Sequence, residues 1–178
     1  PIVLGSQIVV ALQTIISREI APKEPALITV GAFHSGTKHN IISDKAHLQL
    51  TVRNDSWETR EYLMAAIKRV AENLGRAAGL PEDKLPQVII DAEPTPPTVN
   101  DIPLTQRLKK AWAASMGQPV FDENYKRLGM GAEDFPFFTT EPYIPSTYFA
   151  VGGTPAEAIA AEVAAQGISV SGWRFAVK

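Results

Sequence analysis

Three places in the sequence hold residues whose type and setting suit chemistry. The first is the loop 36–40 (GTKHN), where Asn40 enters the apolar pair Ile41-Ile42. An asparagine amide offers a carbonyl acceptor and an NH2 donor, so beside a sheet it can hold a ligand carboxylate or a developing oxyanion. Asparagine also turns chains, and spacing alone favours that plainer role. The second is Arg53, last on the polar face of an alternating segment. Its guanidinium suits a two-hydrogen-bond clamp on a substrate carboxylate; the plainer alternative is an edge charge or a surface ion pair. The third is Gly131-Ala132-Glu133-Asp134. Amides at a glycine-led helix start attract anions, which makes Gly131 and Ala132 candidate ligand contacts through their backbone. Glu133 and Asp134 stand where acids stabilise a first turn, and capping is expected of them ahead of general acid–base work.

The histidines are His34, His39 and His47. A hydrolytic zinc site usually takes three protein ligands, and no third partner for the loop pair His34 and His39 is evident. His47 falls on the polar side of a strand. No metal ligand and no catalytic residue is therefore assigned within this chain. The sequence holds no serine nucleophile elbow, P-loop or HExxH helix.

The elements that must position these residues follow from periodicity. Leu4, Ile8, Ala11, Leu12 and Ile15 recur at helical spacing, which predicts an amphipathic helix over residues 2–18, stopped by Pro22 and Pro25. Residues 26–33 (ALITVGAF) form an apolar run of strand length, expected to be buried on both faces. From Ala46 the chain alternates: Ala46, Leu48, Leu50 and Val52 point one way, His47, Gln49, Thr51 and Arg53 the other. Asp55 and Glu58 have capping-box spacing ahead of the stripe Leu63, Ile67, Val70 and Leu74, which ends near Gly75 or Gly79. Residues 87–92 (QVIIDA) read as a further strand. With one more strand ahead of Pro1, this order is the split β-α-β-β-α-β ferredoxin-like unit.

The Pro/Thr-rich stretch 93–101 is the best boundary, dividing the chain into residues 1–95 and 96–178. Beyond it, Asn100 or Asp101 caps a helix with Leu104, Leu108 and Ala111 inward, closed by Gly117. Residues 129–138 read as a glycine-rich turn into a short helix. Tyr148–Val151 reads as a strand, and Thr154, Pro155 and Glu157 open a last helix that Gly167 closes.

Of the 178 residues 45% are hydrophobic, enough for a real core. A net charge of −2, from 17 basic and 19 acidic residues, gives no electrostatic reason to expect nucleic acid or an anionic membrane as partner. The absence of cysteine excludes disulfides and thiolate chemistry and fits a reducing, cytoplasmic setting. No apolar run approaches the roughly 20 residues of a membrane span, and Pro1 opens an amphipathic pattern without a basic leader. The expectation is a chain that begins inside a larger protein.

Several stretches occur in a telling order: residues 1–22 (PIVLGSQIVVALQTIISREIAP), NII before SDKAHLQLTVRN, PPTVND, MGAEDFPFF and VGGTP. Together they resemble the metal-dependent amidohydrolases and metallopeptidases that include hippurate hydrolases, aminoacylases, carboxypeptidases and indole-acetyl-amino-acid hydrolases. The resemblance runs from Pro1 to about Pro155. It implies a ferredoxin-like lid that pairs with its copy in a homodimer, followed by the C-terminal part of an α/β catalytic domain.

It also implies roles: Asn40 as the lid asparagine that touches substrate, Arg53 as the carboxylate-binding arginine, Gly131 and Ala132 as the small-residue turn lining the site. In such enzymes two divalent metals (Zn, Mn or similar) activate a water that attacks an amide carbonyl of an N-acyl amino acid or small peptide. The metal ligands and glutamate base of the pattern belong ahead of Pro1. The late His-Ser-Pro motif is absent, Val170–Lys178 standing in its place with Phe175 matching the phenylalanine after it. Ser43 replaces a usual proline, and His39 a small or aromatic residue. The expectation is a fragment of a two-metal amidohydrolase, inactive and metal-free by itself. The alternative is a non-enzymatic ferredoxin-like module for dimerisation or small-ligand binding.

Overall fold

The computed structural model describes residues 1–90, 94–116, 129–150 and 156–165. In chain order these form α1 (Ile2–Thr14), running on as a widened π-type turn (Ile15–Glu19), then β1 (Ala26–Ser35), β2 (Ala46–Asn54) and α2 (Trp57–Ala77). α3 (Ile102–Met116) and α4 (Ala156–Ala165) follow, with short 3-10 turns at Glu82–Lys84 and Phe135–Phe138.

β1 and β2 pair antiparallel from Ala26↔Asn54 to Ser35↔Ala46, and the register slips at Gly31, between Val30↔Leu50 and Ala32↔Gln49. That extra residue is a β-bulge, tolerated where the residue has no side chain to place. The loop beyond is pinned at its base: the Ser35 and Ser43 hydroxyls both donate to the Lys45 carbonyl, at 2.6 and 2.8 Å. Ser43 thus does by hydrogen bonding what a proline does by covalent restraint.

The core lies between the helices and this hairpin. Ile8, Leu12 and Ile15 of the first helix meet Leu63, Ala66, Ile67 and Ala71 of α2, with Ile28 of β1 beneath them. Each leucine and isoleucine among them contributes on the order of 1.5–3 kcal/mol by leaving water, and each alanine less. The stripe expected of the first helix is therefore real. Ile2–Glu19 is also, by length and composition, apolar enough to cross a membrane, which no run of the bare sequence suggested. Its Ile8–Leu12–Ile15 face is spent on the core.

α2 starts one residue later than its spacing suggested. Ser56, not Asp55, is the cap, its hydroxyl accepting from the Thr59 amide at 3.1 Å. It ends in a Schellman closure: Gly79, at φ +77°, donates to the Arg76 carbonyl and Leu80 to Gly75. Gly75 has a separate duty. A β-carbon there would stand 2.7 Å from Cδ of Pro86, so its bareness lets the returning chain lie against the helix.

Four other expectations are corrected. β1 is not buried on both faces; only Ile28 in it is buried, because no further element covers the outer side of this edge strand among the described residues. Residues 87–90 form no strand, and 91–92 lie outside the described residues; β-branched composition does not make a strand without a neighbour to pair with. Tyr148–Ala150 is likewise irregular, Val151 lying outside the described residues. Asn100 takes a neighbouring strand's place there, its side-chain amide donating to the Tyr148 carbonyl and accepting from the Tyr148 amide, at 2.9 and 2.8 Å. In α3, capped by Asp101 at 2.8 Å from the Leu104 amide, Ala111 is exposed and Trp112 packs instead, on Phe149. The predicted stops at Gly117 and Gly167 and the caps at Thr154 and Pro155 lie outside the described residues, as does Val170–Lys178.

Candidate substrate-binding groove

Arg53 is the penultimate residue of β2, opposite Leu27 of β1, and is half-buried. Its guanidinium donates through Nη1 to the carbonyl oxygen of Met130 at 2.5 Å, across 77 residues of sequence. This bond brings together two of the three places singled out above. Arg53, Gly131 and Ala132 line one open groove of about 1040 Å³, joined at the rim by Trp57, Arg60 and Glu133. One donor is spent on Met130; the guanidinium fork has others for a carboxylate. Arg60 stacks over the Trp57 ring, 5.7 Å from its centre, so a second cation and an aromatic face stand on the same side of the groove.

The segment that follows Gly131–Asp134 is tied to the start of α3 and to itself. Asp101 accepts from Tyr143 at 2.8 Å, Thr105 meets Thr147 at 2.9 Å, and Phe135 packs on Tyr148. The Leu104 amide and, after it, the Tyr143 hydroxyl hold the Asp101 carboxyl below the usual carboxylate range. The capping role expected of Glu133 and Asp134 does not materialise. Asp134 precedes the turn Phe135–Phe138 without a side-chain cap bond, and a single 3-10 turn has little dipole to stabilise.

Asn40 lies elsewhere. It is exposed in the turn closed by the Ile41 amide on the Lys38 carbonyl, at 3.3 Å, which is the chain-turning role. Arg53 stands at the opposite end of the hairpin, roughly 23 Å away along β2 alone. His34 and His47 face each other across the two strands, a pairing that needed the register. Among the described residues no three histidine or acidic side chains converge as a metal site. The donor set here does not fit a two-metal centre, and no step through a metal is derived from these residues.

Residues 1–78 match the family of the peptidase dimerisation domain. A hippurate hydrolase of Campylobacter jejuni is 30% identical over 138 residues, 78% of this chain and 34% of that protein. Thermostable carboxypeptidase 1 of Saccharolobus solfataricus is 33% identical over 153 residues, 85% of this chain and 36% of that protein. Among solved structures, the Bacillus subtilis YXEP protein, a dinuclear metal binding peptidase from the M20 family, superposes with a TM-score of 0.54 at 26% identity, over 80% of this chain and 34% of that one. The chain thus spans about a third of the length of the curated relatives it matches. Residues 1–78 thus carry a peptidase dimerisation domain, and the chain as a whole is similar to metallopeptidases of the M20 family.

Proposed function

We propose that the chain supplies the lid and the substrate-carboxylate site of a two-metal amidohydrolase that cleaves N-acyl amino acids or small peptides. Residues 1–95 are the ferredoxin-like lid and residues 96–178 the adjoining part of the catalytic domain, in a cytoplasmic enzyme. The observation that carries this reading is the Arg53–Met130 bond, which sets a guanidinium over the Gly131-Ala132 turn. A carboxylate bridging that fork and that turn leaves the acyl amide directed away from Arg53, toward groups that this chain does not hold.

The distance between Asn40 and Arg53 adds a condition. Side chains roughly 23 Å apart cannot share one small substrate, so a site using both draws them from two copies of the lid. In this reading the homodimer is part of the site.

The test is metal content and N-acyl-amino-acid hydrolysis, measured in parallel on this chain and on the longer polypeptide that contains it. The expected result is turnover with about two metals per site in the longer protein and neither in this chain. A longer protein without turnover turns the reading to a dimerisation or small-ligand-binding module. Stoichiometric metal and turnover in this chain alone overturn the assignment of the metal ligands to other segments.

A further inference from the structure

His34 and His47 stand directly opposite each other near the loop end of the β1–β2 hairpin. Their neighbours fix the face they share. A β-carbon on Gly5 would stand 2.6 Å from Cζ of Phe33, so Phe33 turns in beneath α1. The next side chain, His34, therefore turns to the opposite, open face of the sheet. His47, its register partner, turns the same way, and both residues are exposed. Facing residues of an antiparallel pair have β-carbons about 4.5–5.5 Å apart, a base from which two imidazoles can aim one nitrogen each at a single point. Neither imidazole has a hydrogen bond or ion pair within the described residues. The adjacent pair on that face is Ala32↔Gln49, which brings no cation to repel an ion and leaves room beside His34. The base is also stiff. Ser35 pairs with Ala46 one step further on, and the Ser35 and Ser43 hydroxyls both hold the Lys45 carbonyl, at 2.6 and 2.8 Å. Little ordering is left to be done on binding.

We propose that His34 and His47 form a two-histidine chelate for one borderline divalent cation of the Zn2+, Ni2+ or Cu2+ kind, with water in the remaining positions. Neutral imidazole suits these ions, whereas a hard cation such as Mg2+ asks for oxygen. An ion held there clips β1 to β2 at the root of the loop that carries Asn40. The site is separate from the carboxylate fork, since the extended chain from His47 to Arg53 spans roughly 20 Å. It is equally distinct from a two-metal hydrolytic centre. Structural zinc takes four protein ligands and catalytic zinc three; with two, the ion exchanges on desalting, so it is read by titration and not as retained metal.

The test is a Zn2+ titration of the 178-residue chain, stripped with chelator and desalted, followed by calorimetry and by the Cε1–H NMR signals of its three histidines. About one ion per chain is expected, the His34 and His47 signals moving together while that of His39 stays in place. His34→Ala and His47→Ala should each weaken binding about tenfold or more, because either change breaks the chelate, and the double variant should abolish it. Both side chains are exposed, so these substitutions leave the core untouched. Mg2+ should move neither signal. No binding, binding that survives in the double variant, movement of His39 in place of the pair, or the same response to Mg2+ overturns the proposal. So does one ion per two chains, which means that histidines of separate copies share it.

Discussion

The Arg53 guanidinium holds the Met130 carbonyl, and with it tethers the β1–β2 hairpin to the glycine turn that follows α3 in sequence. The bond does two things: it fixes the arginine's direction over the groove, and it ties down the Gly131-Ala132 backbone beside it.

Arg53→Ala in the longer enzyme is expected to raise KM for N-acyl amino acids about 10- to 100-fold, the worth of a charge-assisted pair, and to leave the matching amides nearly unchanged. Arg53→Lys keeps the charge and loses the fork, so its effect should be intermediate. Steady-state kinetics on acid and amide pairs decide it, and equal losses on both sink the carboxylate assignment.

Leu63 is fully buried where α2 meets the first helix. Leu63→Ala should cost about 2–5 kcal/mol, by lost transfer energy plus the cavity left behind. Urea unfolding would show a lowered midpoint with an unchanged slope. A loss under about 0.5 kcal/mol would mean that this contact is not the centre of the core.

Gly79 closes α2 at φ +77°. Gly79→Ala should cost roughly 1–2 kcal/mol through the left-handed backbone, and Gly79→Asn less, because asparagine tolerates that region. Equal thermal shifts for the two would argue that the closure does not depend on that conformation.

Asp101 caps α3 and accepts from Tyr143, and its carboxyl titrates below the usual range. A group depressed in the folded state stabilises it above the unfolded carboxylate pKa and ceases to do so as pH falls through the folded value. Acidification should therefore loosen α3 from the segment around Tyr143. Asp101→Asn, which keeps a capping oxygen without the charge, should flatten that dependence. Exchange of α3 amides against pH checks this, and identical acid profiles for the two proteins would remove Asp101 as the cause.

A chain that carries a peptidase dimerisation domain should pair through it. Light scattering on the 178-residue chain is expected to give twice the 19.3 kDa of one copy. A single-copy mass held at high concentration counts against the two-copy site.

The sequence alone determined the helices of the first half, the hairpin and the family resemblance. Apolar side chains at helical spacing, from Leu4 to Ile15 and from Leu63 to Leu74, can be satisfied in essentially one way, and alternation through Ala46–Arg53 leaves only a half-buried strand. Glycine at 79 and Asp101 at the start of α3 act locally, so they too were legible, though Ser56 beat Asp55 by one residue because both types cap.

Tertiary structure decided which candidates meet. Arg53 and Gly131 share a groove because two chain segments 77 residues apart are folded against each other, and Asn40 misses it because a hairpin sends its loop and its ends in opposite directions. The irregular course of 87–90 and the Asn100 bridge to Tyr148 lie beyond sequence reading for the same reason. A strand exists only with a neighbour, and which neighbour is present, main chain or side chain, is a property of the packed molecule rather than of any local stretch of it.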